Sequence, residues 1–412
     1  MRKVYDKCCG VDVHKKLLVA CLASGEEREL REFGATTREL LAMADWLSGA
    51  GCEMVAMEST GSYWKPLYNV LESAGLPAMV VNAQHVKNVP GRKTDARDAE
   101  WLADLLQHGL LNASFIPSRP QRELRELLSY RRSLVADRGR EVNRLQKVLE
   151  GGNIKLSGTI SNIVGMSGRA LLGAALSGAG VSAGDIARMR EGGAVSKRLK
   201  ASDEQLADDL EGVLSDVQRR IIREILGHVD ELDAHIAAID EEVDSHMDGG
   251  QKAAAEAISG IPGLGETSAR AVIAVIGTDM SRFPTAGHLA SWAGLCPGDN
   301  ESAGKRKSGK TRKGNKLLQS TLVNAAHSAA RSKDSYFAAQ FKRISAHRGK
   351  KRAYVAVAHS MLVAIYHILA EGVAFEDLGA DYYSRFNRER KARSYIKKLA
   401  SLGYQVTAVP AA

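Results

Sequence analysis

The chain has 412 residues, 44 % of them apolar and 25 % charged, which gives room for two or three domains and a sizeable core. Its net charge of +9 and pI near 9.2 are concentrated: residues 301–352 carry fifteen Lys and Arg against Glu301 and Asp334, a local net of +13. The other residues therefore net about −4, and a localised basic surface of this kind reads first as a phosphate-backbone binder, ahead of ribosomal or membrane-surface binding.

Residues 7–34 turn over quickly between short β-rich runs ("KCCGVDVHK", "LLVACLASG", "ERELREFG"), which predicts three adjacent strands of one sheet. "TTRELLAMADWLSGAG" (36–51) begins at a Thr cap and repeats apolar residues at helical spacing until glycine. "CEMVAMES" (52–59) reads as a buried strand, "WKPLYNVLESAG" as a helix, "LPAMVVNA" (76–83) as a strand and "TDARDAEWLADLLQHG" (94–109) as a helix. This alternation predicts an α/β domain over 1–118, closed near Pro117 and Pro120.

From Leu124 the pattern changes to long helix. Leu128, Val135, Val142 and Leu149 recur every seven residues, and a second run holds Leu206, Leu210, Val213, Val217, Ile221, Ile225, Leu232, Ile236, Ile239 and Val243. Two such helices within 119–250 predict an antiparallel coiled-coil arm, with a Gly/Ser/Ala-rich insertion at 151–200. "DGGQ" (248–251) marks the next joint. A mainly α unit over 251–345 follows, containing the basic loop 297–316 and a helix over 315–331. A helical tail over 346–412 comes last. Its apolar run "VAVAHSMLVAIYHILA" (355–370) is interrupted by His359 and His367, and a buried helix is expected rather than a membrane span. Five cysteines without a Cys-x-x-Cys pair or zinc spacing fit reducing cytoplasm, and the amino-terminal residues lack an apolar signal core.

Four carboxylates in the first domain have suggestive positions. Asp12 lies inside an apolar strand, where an unpartnered Asp is costly; Glu58 ends another strand; Asp95 and Asp98 sit three apart at a helix start. Such a set suits a hard divalent cation, Mg²⁺ or Mn²⁺, and two such ions can clamp both oxygens of a phosphodiester displacement. Taken singly, Asp95 is equally a helix cap, Glu58 a solvated strand end, and His14 an exposed strand-end histidine.

In the third unit, "IPGLGETSARAV" has the look of a helix-hairpin-helix, in which Gly263 and Gly265 allow a tight turn and the next helix offers N–H groups to phosphate. A glycine-rich joint that only packs is the plainer alternative. Lys305, Arg306, Lys307, Lys310, Arg312, Lys313 and Lys316 form a phosphate grip without sequence specificity. Ser302 and Ser308 both read as ordinary loop serines from their surroundings alone. The stripe over 119–147, nine Lys/Arg against four Asp/Glu, is either RNA-facing or a solvated helix face.

"GVDVHK", "MESTGSYW" and "RKTDARDAEWLADLL" together resemble the DEDD transposases of the IS110 family, and "ISGIPGLGETSARAVIAVIG", "WAGLCPG" and "SAGKRKSGKTRKGNKLL" are similar to that family's C-terminal domain. The resemblance implies an RNase H-like, RuvC-like N-terminal domain whose metal tetrad is Asp12, Glu58, Asp95 and Asp98. It also implies a catalytic serine at Ser302, although this chain has Ala303 where the family commonly has glycine. It further implies a recombinase that excises and inserts a mobile element, with donor and target DNA and a structured noncoding guide RNA as partners. A homo-tetramer and a cytoplasmic, nucleoid-associated location are the family-consistent expectations. Two rival readings are a metal-dependent junction nuclease using water and a non-catalytic nucleic-acid scaffold.

Overall fold

The computed structural model of the protein describes residues 3–59, 61–82, 95–298, 300–302, 305–311, 314–385 and 388–405; side chains at 95–97, 300–302, 305–308, 384–385 and 388–391 lie outside the description. Contacts divide the chain into two compact units, 1–118 and 119–412.

The first unit is built on a five-stranded sheet. Strands β1 (Lys7–Val13), β2 (Leu17–Ser24) and β3 (Glu27–Gly34) form an antiparallel meander, and β4 (Met54–Glu58) and β5 (Ala78–Val81) add in parallel on the other side of β1. The spatial order is β3-β2-β1-β4-β5. Alternation along β1, β2 and β4 gives the sheet two apolar faces. Cys9, Val11 and Val13 of β1 pack with Leu40, Met43 and Leu47 of α1 (Thr37–Gly49) and with Leu67 and Leu71 of α2 (Trp64–Ser73). Cys8 of β1 and Ala56 of β4 face Ala99, Ala103 and Leu106 of α3 (Asp95–Gln107). Thr36 caps α1 as its sequence implies, accepting from the amide of Glu39.

The second unit is helical. Its longest elements, α4 (Arg119–Gly151) and α8 (Asp216–His246), pair antiparallel. Arg131 Nη2 donates to Asp240 Oδ2 at 2.8 Å, and Arg138 Nη2 to Asp233 Oδ2 at 3.0 Å. The expected heptad register slips: Leu134 is buried in place of Val135, which is 44 % exposed, because Arg131 and Arg138 flank the seam there and reach across to α8. The second apolar run is not one helix. Leu206 and Leu210 belong to α7 (Asp203–Leu210), and residues 211–215 cross back to the end of α4, where Val213 donates its amide to the Gly152 carbonyl. A capping box of Ser215 and Gln218 then starts α8, leaving Val213 and Val217 exposed and turning Ile222 inward instead of Ile221.

The Gly/Ser/Ala-rich insertion closes its own core at the far end of this helix pair. Leu171 and Leu172 of α5 (Met166–Ser177), Ile186 of α6 (Ala183–Glu191) and Leu206 meet Leu145, Leu149, Ile222 and Ile225. "DGGQ" is less a joint than a helix start: Asp248 and Gln251 form the capping box of α9 (Gly249–Ser259). Next come α10 (Glu266–Ile276) and α11 (Ala286–Trp292). The basic segment is not a loop but a β-hairpin, β6 (Asn300–Ser302) and β7 (Lys305–Ser308).

The hairpin leads to α12 (Lys316–Ala329), then α13 (Tyr336–Arg348) and α14 (Lys350–Glu371), with α15 (Arg388–Ser401) last. The expected boundary at 345 falls inside α13, a helix without a clear apolar periodicity because its apolar residues bunch towards its start. Among the described helices α14 is long and apolar enough to cross a bilayer. Its stripe of Val357, Met361, Leu362 and Ile365 is buried, and it packs against α11, α12 and α13.

Candidate active-site elements and nucleic-acid interface

At the carboxyl end of β1, Asp12 is 6 % exposed and His14 Nε2 lies 2.9 Å from its Oδ2. Alternation puts Asp12 on the same sheet face as Cys8 and Gly10, the face covered by α3. The parallel register Gly10↔Ala56 and Val11↔Met57 makes Glu58 the next rung beside Asp12. Since Ala56 faces α3, Glu58 two residues on shares that side. Two carboxylates thus end adjacent parallel strands on one face.

The helix above them is fixed by a steric device. A Cβ at Gly10 would fall 2.3 Å from the Ala99 carbonyl and 2.4 Å from the Ala103 nitrogen, so α3 lies directly on the β1 backbone. Cys8 Sγ, one rung earlier on that face, lies 3.7 Å from the Ala103 carbonyl. The helix therefore runs antiparallel to β1, and its first turn, with Asp95 and Asp98, is at the Asp12 end. Asp98 is half-buried; the Asp95 side chain lies outside the described residues. Among the described residues no three His, Cys, Asp or Glu converge closely enough to hold a metal. Apart from His14 beside Asp12, the candidate donors that share this end are carboxylates, the hard oxygen chemistry that Mg²⁺ and Mn²⁺ take.

In the second unit Ser302 is the last residue of β6, paired with Lys305 across the hairpin, and Glu301 pairs with Arg306. Ala303, Gly304, Arg312 and Lys313 lie outside the described residues, as do the side chains of Ser302, Lys305, Arg306 and Lys307. The hairpin base is pinned. Gly298 donates its amide to the Lys310 carbonyl at 2.8 Å, and Pro297 bridges Thr311. Gly314 approaches so closely that a Cβ there would sit 2.3 Å from the Gly294 nitrogen. Lys310 and Lys316 are exposed on either side of this base.

The two glycines of "IPGLGETS" divide their work. Gly263 has φ +85° and packs on α12, where a Cβ would meet the Ala325 carbonyl at 2.4 Å. Gly265 is exposed, caps α10 and has open space around it, so it is the glycine a backbone phosphate could reach.

Two transposase family models match the chain. One, described as a transposase of the DEDD IS110 type, covers residues 9–154; the other, described as "Transposase IS116/IS110/IS902 family", covers 255–342. Together they take in more than half of the 412 residues. The chain belongs to the IS110 family of transposases. It is 27 % identical over 252 residues to an insertion element IS116 uncharacterized 44.8 kDa protein of Streptomyces clavuligerus, covering 55 % of this chain and 61 % of that protein. It is 32 % identical over 161 residues to a transposase for insertion sequence element IS1533 of Leptospira borgpetersenii, covering 38 % of this chain and 46 % of that one. The matched stretches thus span roughly half the length of these relatives.

In this IS110-family chain, all four acidic residues fall within the first matched span, and Ser302 with the hairpin lysines and arginines within the second. Residues 155–254 lie outside both. Sequence reasoning missed Gly10 and Gly314 as positioning residues. The signal for Gly10 was available, since a glycine in the interior of a buried strand marks a close backbone approach.

Proposed function

We propose that the chain is the recombinase of an insertion sequence, excising and inserting the element by serine attack on DNA phosphodiesters. The strand order β3-β2-β1-β4-β5, with an antiparallel meander joined to two parallel strands, supports an RNase H-like first unit. The observation that carries the reading is the β1/β4 register, which ends Asp12 and Glu58 side by side under the first turn of α3. Asp12, Glu58, Asp95 and Asp98 would hold a divalent cation, Mg²⁺ or Mn²⁺. When bound, it supplies positive charge to the phosphoryl oxygens.

Ser302 Oγ then attacks phosphorus. The O–P bond to serine forms as the P–O3′ bond breaks, the seryl proton leaves to solvent, and the departing O3′ takes up a proton. The strand end is left as a phosphoserine ester beside a free 3′-hydroxyl. Attack of a 3′-hydroxyl from another strand on that ester reverses the chemistry and rejoins DNA without hydrolysis. The Lys/Arg-rich hairpin lowers the cost of the charge that develops on phosphate. Donor and target DNA, a structured guide RNA that pairs with both, and a tetrameric assembly complete the proposal.

The test is incubation of purified protein with element-end DNA and flanking RNA, with and without Mg²⁺, on denaturing gels. A covalent protein–DNA adduct that disappears in Ser302→Ala is expected. Clean cleavage by Ser302→Ala would overturn the serine step in favour of a water-using nuclease. Binding without strand breakage by the unaltered protein would leave a scaffold.

A further inference from the structure

A cleft of about 270 Å³ opens in the second unit between the first turns of α4 and the start of α12. Arg125, Ser129, Arg132, Asn315, Lys316 and Leu317 line it, three cations and no carboxylate. Four arginines further along α4 are held by acids: Arg131 by Asp240, Arg138 by Asp233, Arg140 by Asp137 and Arg144 by Glu141. The stripe over 119–147 is therefore not uniform. Much of it is held in ion pairs, and the cleft gathers Arg125, Arg132 and Lys316 around one opening.

The cleft is also built rather than incidental. Arg125 lies over the Trp292 ring at 5.4 Å from guanidinium carbon to centroid, and its Nε donates to the Val275 carbonyl at 3.0 Å, at the carboxyl end of α10. Burial pulls its pKa down to about 10, the mark of a cation kept from water. Arg132 Nη1 donates to the Lys316 carbonyl at 3.3 Å, joining the two walls. Asn315 caps α12 by accepting from the Leu318 amide at 3.0 Å, and the first-turn amides of Lys316 and Leu317 head the helix at the same place. The hairpin base is tied to this wall through Gly314 on Gly294 and through Gln319 Nε2, which donates to the Gly294 carbonyl at 3.0 Å.

We infer that this cleft seats a backbone phosphate of the DNA strand whose chemistry the adjoining hairpin performs, held by Arg125, Arg132, Lys316 and the open end of α12. The inference rests on the recombinase reading for the identity of the strand, not for the existence of the site. Such a contact sets the register of the strand on the protein and reads no base. DNA is the favoured source because Asn315 and Lys316, which wall the cleft, follow Gly314 at the base of the hairpin that carries Ser302.

The test measures binding of the full chain to fluorescent 30-base-pair DNA and, separately, to single-stranded RNA across a salt series, in a Ser302→Ala background so that strand breakage plays no part. Arg132→Gln with Lys316→Gln is the variant, since both side chains are exposed and their loss spares the buried Arg125. Arg198→Gln with Lys200→Gln, both exposed and remote in sequence, controls for the two lost charges. The double variant is expected to weaken DNA binding about tenfold and to lower the slope of log K against log salt by about 1, with an unchanged melting temperature. DNA binding equal to that of the control overturns the site, and a loss confined to RNA overturns its assignment to DNA. Neither outcome depends on the serine step, so failure here and failure of the adduct assay are separable.

Discussion

Gly10→Ala separates a positioning role from a merely structural one. The added methyl would lie 2.3 Å from the Ala99 carbonyl, 2.4 Å from the Ala103 nitrogen and 2.8 Å from Leu102 Cβ. Two of these three are backbone atoms of α3, so no rotamer change can make room. Ordinary contact begins near 3.4 Å, so the helix must back away from β1 by about 1 Å. Overpacking of this kind costs about 1–3 kcal/mol. Spread over a unit of this size, that is a fall in melting temperature of about 5–15 °C, leaving a folded protein at 10 °C. The same displacement carries Asp95 and Asp98 away from Asp12 and Glu58, and a misplacement of about 1 Å costs about 100-fold in rate. Strand cleavage assayed at 10 °C, with folding checked by circular dichroism, should therefore fall about 100-fold in a protein that remains folded. Cleavage at the unaltered rate by a folded Gly10→Ala protein would refute the assignment of α3 as the element that brings the acidic residues together.

Asp12→Ala should abolish strand cleavage while leaving RNA binding, read by filter retention, near that of the unaltered protein; retained cleavage would remove the metal proposal. Gly314→Ala, which would place a methyl 2.3 Å from the Gly294 nitrogen, should cut adduct formation at Ser302 by at least tenfold by shifting the hairpin base, and a full adduct yield would count against that anchoring. Asp233→Asn removes the partner of Arg138, but with that pair 29 % and 44 % exposed the loss should stay below about 1 kcal/mol, a melting shift of only a few degrees. Burial lowers the pKa of His359, in a pocket shared with His367 and Glu376, below its ordinary 6.5. Below pH 6.5 the unfolded chain thus binds the proton that the folded one resists, so stability falls as pH drops through that value. His359→Gln should flatten the fall in melting temperature between pH 7 and 5; an unchanged slope would rule out this histidine as its source.

Local signals carried far in the first unit. Thr36, the alternation in 7–34 and the apolar periodicity of 94–109 specify elements whose bounds differ from the expected ones by a residue or two. What they could not specify is register. That Gly10 stands opposite Ala56, so that Asp12 and Glu58 end on one face, depends on a parallel pairing between strands forty residues apart. The heptad reading failed for a related reason. Val135 and Leu134 are equally apolar, and the choice between them belongs to Arg131 and Arg138 reaching for Asp240 and Asp233 on a distant helix. The basic segment hid its hairpin because Lys and Arg are poor strand formers, and the pairing of Ser302 with Lys305 is fixed by bonds at its base, from Gly298 and Pro297 to Lys310 and Thr311.

Three of the six motifs that mark the chain as an IS110 transposase contain a glycine whose α-carbon lies against another element's backbone. Gly10 in "CGVDVHK" meets α3, Gly263 in "IPGLGETS" meets α12, and Gly314 in "KGNKLL" meets the residues that follow α11. In no case does the nearest atom belong to a flexible side chain, so none of the three positions can accept a methyl without moving a helix or a hairpin. In the proposed mechanism the polar residues supply the chemistry, but their spacing in the sequence says nothing about the distances between them in the fold. Those distances are set where two backbones touch, and a backbone contact is the tightest tolerance a chain can impose. On this account the glycines and the carboxylates are parts of one specification. The glycine substitutions should therefore damage cleavage out of proportion to the stability they remove, whereas Asp233→Asn, whose site is an exposed ion pair on the helix arm, should remove a little stability and leave the cleavage rate of the folded protein unchanged.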